Sequence, residues 1–330
     1  MGYALAYCLL QQQQHQRGGS DENVQIRVLC KNKEGLDELS KMGADICQVD
    51  YNSEDQVREC FKNVKAGIMI PEHDRELAKK GENVFKSAKN ENIEHLCMIS
   101  LIGVDKLQQG REFEYLNQYC ELEKKHREMF GRDKGPIIRC SMVDQWFYLL
   151  APMIEKGVLR LPIKKDQKWS MVDLNDIIEA IVKLANGSRE ENVLFGAIGN
   201  GRKEIYHFAP QHVHQMEELA HHIGEGLGRR ELRYEQINKE EIRKWFSEMR
   251  DDNRFKERPS KPHGDDKPHY FPIGRYLNDC MIDIHLEIWE LANKGRMDIS
   301  SNDLKELLDR EPSGICDYFK NNSEQFREFR

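Results

Sequence analysis

Cys30-Lys31-Asn32-Lys33 sets two ammonium groups around one amide side chain, with no acid among the four residues. Two lysines placed like this suit a phosphate group, where an aspartate or glutamate would instead accept from a sugar hydroxyl. The same lysines also suit a solvated loop. Tyr115 and Tyr119 are one helical turn apart. A tyrosine serves as a proton donor when a lysine four residues on holds down its pKa. Four residues beyond these two stand Tyr119 and Glu123, while Lys124 and Lys125 lie elsewhere around the helix. The lysine partner is therefore missing, and Tyr119 is left as a weak acid or as a packing residue. Asp50, Ser100 and the pair Ile70-Pro71 each close an apolar run, where a side chain either faces a ligand or simply ends the element. Arg139 lies inside an apolar run and reads as structural, in need of a carboxylate or backbone partner.

Histidines cluster at 207, 212, 214, 221 and 222, but in no metal-ligand spacing, so no metal site is expected. Gly224-Glu225-Gly226-Leu227-Gly228 is glycine-rich but closes a helix instead of following a strand, which makes it a C-terminal cap and not a phosphate loop.

The elements that must position these groups alternate from Val24 to Arg139. VQIRVLC (24–30), ADICQVD (44–50), AGIMI (66–70), IEHLCMIS (93–100) and GPIIRC (135–140) read as strands. Between them, 34–43, 53–64, 73–92 and 113–130 read as helices, with Ser53 and Gln56 in a capping-box pattern. Strands alternating with helices of this length predict an α/β fold, a doubly wound parallel sheet with helices on both faces. The polar stretch 251–271, rich in proline and charge, reads as a loop over the cleft or a surface insertion.

Composition narrows the class. The 330 residues carry a net charge of −7, with 39% hydrophobic and 32% charged residues. That balance argues for a globular chain with ample core and against a nucleic-acid surface, which is usually basic. No apolar run approaches the ~18–20 residues of a membrane span. Nine cysteines, none paired as CxxC, fit reduced thiols and a cytoplasmic protein, with the nucleus as a second location.

The opening, MGYALAYCLLQQQQHQ, puts Gly2 directly before an apolar helical pattern. In a doubly wound fold that helix follows a central first strand and a glycine-rich turn that holds phosphates on the helix N-terminus. Gly2 reads as the last glycine of such a turn, with the strand itself absent. The glutamine run reads as a surface extension.

Several further stretches, in this order and spacing, resemble the NmrA-like family of atypical short-chain dehydrogenases/reductases. They are RVLCKN (27–32), GADICQVDYNSEDQV (43–57), LCMISLIG (96–103), IIRCSMVDQWF (137–147), WSMVDLNDIIEAIVKLA (169–185), 208–246 and 303–322. The resemblance implies a Rossmann core over 1–140, with 170–200 returning to it, and a smaller α+β domain from 141–169 and 201–330. It implies NADP(H) as cofactor, held by Gly2, Lys31, Lys33, Asp50, Ile70, Pro71 and Ser100, with the adenine near Asp50 and the nicotinamide near Ser100. Some relatives reduce quinones or other small organic molecules. Others sense redox state, and one restrains a transcription regulator, which makes such a regulator a possible partner. Many reductases of the family carry a helix lysine just upstream of a glutamate; the matching stretch here offers Tyr119 or Glu123. The expectation is a redox-sensing or regulatory NADP(H)-binding protein with little catalysis. The alternatives are an NADPH-dependent reductase and a truncated, non-binding gene product. The missing strand and glycine turn are expected to weaken dinucleotide binding.

Overall fold

The computed structural model describes residues 1–16, 25–107, 112–131, 134–186, 203–229, 231–256 and 273–327. The first part folds as α1 (Gly2–Gln16), β1 (Arg27–Cys30), α2 (Asp37–Lys41), β2 (Asp45–Gln48), α3 (Glu54–Phe61), β3 (Ala66–Met69), α4 (Leu77–Asn90), β4 (His95–Leu101), α5 (Glu114–Phe130) and β5 (Ile137–Cys140). There follow β6 (Met142–Val143), α6 (Ala151–Glu155), β7 (Val158–Leu161), β8 (Lys168–Trp169), β9 (Met171–Val172), α7 (Leu174–Asn186) and β10 (Ile205–Phe208). The chain ends with β11 (His214–Gln215), α8 (Met216–Gly226), β12 (Arg233–Gln236), α9 (Lys239–Asp251), α10 (Asp279–Asn293), α11 (Asp303–Leu308), α12 (Ile315–Asn321) and α13 (Ser323–Arg327).

The expected alternation is present, with strands shorter than the apolar runs suggest. β10, β5, β4 and β3 form one parallel sheet in that order, and β1 and β2 form a second parallel pair. Residues 205–208, expected in the smaller domain, form β10, which lies beside β5 in the core sheet. Part of the stretch 170–200 and most of 251–271 lie outside the described residues. The glutamine run continues α1 up to Gln16 instead of forming a separate extension, because nothing in it breaks a helix. Ser53 caps α3 through Gln56 N–H, but the Gln56 side chain accepts from Asp50 N–H, so the reciprocal half of the capping box is redirected one turn back.

Successive β4 residues serve opposite layers, as a pleated strand requires. Leu96 and Met98 pack with Leu77, Phe85, Leu116 and Tyr119. Cys97 and Ile99 pack with Ala4, Leu5, Ile177 and Ile181. α5 is seated against α4 at Gly81, where a Cβ would come within 2.6 Å of Leu122 Cδ2. Its other end is fixed from the C-terminal part. The Glu287 carboxylate on α10 accepts from the N–H groups of Glu114, Tyr115 and Leu116 at 2.7, 3.0 and 2.9 Å. Those are donors that a helix start leaves without an internal partner.

The two sheets do not join among the described residues. Among the described residues β1 pairs only with β2, and β3 pairs only with β4. Ile26 and Cys30 carbonyls accept from β2, and the Lys65 carbonyl accepts from the start of β4. By alternation, Arg27 and Leu29 on β1, and Ala66 and Ile68 on β3, turn their backbone groups to the opposite side. Both free edges and the α1 face carrying Gly2, Leu5 and Leu9 line one cavity of about 1950 Å³.

Candidate functional site

The same cavity runs past the carboxyl ends of the strands, where open α/β sheets hold ligands. Gly2, Lys31, Ile70, Pro71, Ser100 and Tyr119 all line it, so six of the residues expected at the site share one cleft. Lys33 and Asp50 are not in its wall. Asp50 shapes the turn into α3, its carboxylate accepting from Asn52 N–H at 3.0 Å and its carbonyl from Ser53 N–H at 2.9 Å. Gly2 meets no steric demand for glycine, since a Cβ there would touch Ile70 Cδ1 at an ordinary 3.7 Å.

Lys31 follows directly on β1, with its side chain 61% exposed and its ammonium 3.9 Å from carboxylate oxygens of both Glu72 and Asp74. That spacing leaves the cation loosely balanced and open to a stronger anion. Ser100, at the far end of β4, is fully buried and its hydroxyl has no hydrogen-bond partner among the described residues. A buried hydroxyl left unmatched costs free energy, which a ligand in the cleft would recover.

α5 decides the proton chemistry. Burial pushes the Tyr119 hydroxyl well above its ordinary pKa. Among the described residues no lysine opposes that effect. Glu123, the residue four on, is committed to Arg139, and Lys124 and Lys125 face Glu128 and Glu82. Tyr115 points away to Cys280 Sγ at 3.5 Å, and its hydroxyl is likewise pushed up by burial.

Groups that no sequence motif singles out close the cleft from the C-terminal part. His285 on α10 is buried, with its ring centroid 3.5 Å from that of Trp146. Nδ1 bonds the Met281 carbonyl and therefore carries the proton, and Nε2 has no partner among the described residues. Burial pushes the His285 imidazole down to about 3. His73, two residues after Pro71, is pushed down by burial to about 4, and its carbonyl accepts from the Asn278 side chain. Its position just past a strand end was a usable signal. His285 had none, because one histidine in an apolar helix resembles any core position. Beyond His285, Met142, Met281, Ile284 and Ile288 give the cleft an apolar end.

Residues 16–130 match the model of the NAD(P)H-binding family. No curated protein matches the chain in sequence. Among solved structures, the chain is similar to a nucleoside-diphosphate-sugar epimerase from Staphylococcus aureus, at 17% identity, a TM-score of 0.66 and 96% coverage of both chains. It is similar to an NADPH-dependent quinone oxidoreductase from Escherichia coli complexed with NADPH, at 15% identity, a TM-score of 0.65 and coverage of 95% of this chain and 94% of that one. It is also similar to the Citrobacter sp. triphenylmethane reductase complexed with NADP(H), at 14% identity, a TM-score of 0.67 and coverage of 98% and 96%. The sheet order, the cleft at the strand ends and these likenesses agree: the fold is that of the NAD(P)-binding Rossmann superfamily.

Proposed function

We propose that this chain is an NADP(H)-binding protein of NmrA-like type that reports on redox state or regulates a partner and transfers hydride slowly or not at all. The observation that carries this is the α5 face. Tyr119 is buried with a raised pKa, and Glu123, four residues on, is taken up by Arg139 where a lysine would be needed. Without a nearby cation, a buried phenol is a poor acid at neutral pH. Lys31 at the end of β1 supports the phosphorylated dinucleotide over NAD(H). The NADPH and NADP(H) complexes of two similar structures support the same ligand. The adenosine half would lie by Lys31 and the nicotinamide half by Ser100 and Pro71. A transcription regulator as partner is the family-based part of this reading.

A second reading, an NADPH-dependent reductase of a quinone-like molecule, draws on the apolar residues that line the cleft around Trp146 and Ile288, which suit a flat organic substrate. Titration with NADPH and NADH, followed by NADPH oxidation with a quinone panel, separates the two. Binding with no turnover supports the first, and rapid turnover supports the second.

A further inference from the structure

The loop after β1 is touched by a residue far away in sequence. The Arg275 guanidinium donates through Nη1 to Glu34 at 3.3 Å, across a separation of 241 residues. Its Nε donates to the Lys256 carbonyl at 2.7 Å, which fixes the plane of the group. Nη2 makes no bond among the described residues. Glu34 is itself positioned, because its N–H donates to the Asn32 side chain at 2.9 Å in a turn that begins one residue after Lys31. Lys31, Asn32, Glu34 and Arg275 all line the cleft.

We propose that Arg275 is a specificity-determining residue that receives the 2′-phosphate of NADP(H) jointly with Lys31, with the Glu34 carboxylate holding its place until the dinucleotide arrives. This rests on the NADP(H)-binding reading. A guanidinium anchored on one edge and presenting the other as a fork matches two phosphate oxygens at once. In the present arrangement Arg275 and Lys31 each face carboxylates that are partly exposed and therefore weak partners. A phosphomonoester near neutral pH carries close to two negative charges and displaces a single exposed carboxylate. NAD(H) brings only a hydroxyl to this place, so Arg275 contributes nothing to its binding. On binding of the phosphorylated dinucleotide, the link between the C-terminal part and the β1 loop passes from the Arg275–Glu34 pair to Arg275 and Lys31 on the phosphate.

Two substitutions of opposite sign test it, with calorimetric dissociation constants for NADPH and NADH measured on the full chain. Arg275→Ala is expected to weaken NADPH by about tenfold or more while leaving NADH within about twofold. Arg275→Lys should recover part of the loss. Glu34→Gln removes the competing carboxylate and should tighten NADPH a few-fold without changing NADH. Equal effects on both dinucleotides, or no effect on either, overturn the proposal while leaving NADP(H) binding intact. If the unaltered chain binds no NADPH, the functional reading fails. Adenosine 2′,5′-bisphosphate against 5′-AMP then tests the phosphate site alone: a preference lost in Arg275→Ala sustains the proposal, and no preference overturns it.

Discussion

The Glu123 carboxylate receives two bonds from the Arg139 guanidinium, 2.9 Å from Nε and 2.7 Å from Nη2, with both side chains almost sealed from water. This pair joins α5 to β5, and Arg139 also reaches Asp105 at 3.4 Å and His207 at 3.3 Å. Removing one member leaves a buried charge with only a longer partner, Asp105 at 3.4 Å for Arg139 or Arg127 at 3.8 Å for Glu123. Arg139→Met or Glu123→Gln is expected to cost about 3–5 kcal/mol in urea unfolding. The double substitution should cost less than the two singles added together. Additive costs would show that the two groups do not act as a pair.

His285 is expected to make the stability of the protein fall with acidification. Its folded pKa of about 3 lies below the ordinary value of 6.5, so the unfolded chain takes up the proton first as pH falls. The stability tied to the neutral ring is fully present above pH 6.5 and lost progressively down towards pH 3, at up to about 1.4 kcal/mol per pH unit. His285→Phe should flatten the pH dependence of thermal unfolding over that window. An unchanged slope would show that the imidazole titrates normally in the folded protein.

The break between β1 and β3 leaves backbone groups without a ladder partner, so their protection from exchange should be low. Amide hydrogen exchange is expected to be orders of magnitude faster at Leu29 and Ile68 than at Cys97 and Ile138. Leu29 and Ile68 face the break, whereas Cys97 and Ile138 belong to strands flanked on both sides. Equal protection at all four would mean that something pairs with the free edges.

Lys31→Glu reverses charge at the end of β1 and should shift preference from NADPH towards NADH, read as a change in the ratio of their dissociation constants. Lys33, outside the cleft wall, should matter far less. Equal affinity for the two cofactors in the unaltered chain would contradict the assignment of Lys31.

The alternation of strands and helices was legible because each element carries its own apolar period, and strand-end residues such as Pro71 and Ser100 then fall at one cleft. The carboxylate that an isolated Arg139 demands was also legible in kind, though not that Glu123 supplies it. Glu287 capping α5, His285 against Trp146 and Arg275 against Glu34 were not legible. Each joins segments more than a hundred residues apart, and no local pattern encodes which surface a helix such as α10 will meet. Lys33 and Asp50 were overestimated for a related reason. Being close in sequence to a strand end does not fix the direction in which a loop side chain points.

The most direct test of the central claim is the rate at which bound NADPH is oxidised in a single turnover, with a naphthoquinone as acceptor. Calorimetry first establishes that NADPH occupies the site and is preferred over NADH. The expected rate lies well below the ordinary enzyme range of about 1–1000 s⁻¹ and is unchanged by Tyr119→Phe. A rate inside that range, abolished by Tyr119→Phe, would show that α5 carries a working proton donor and that the protein is a reductase.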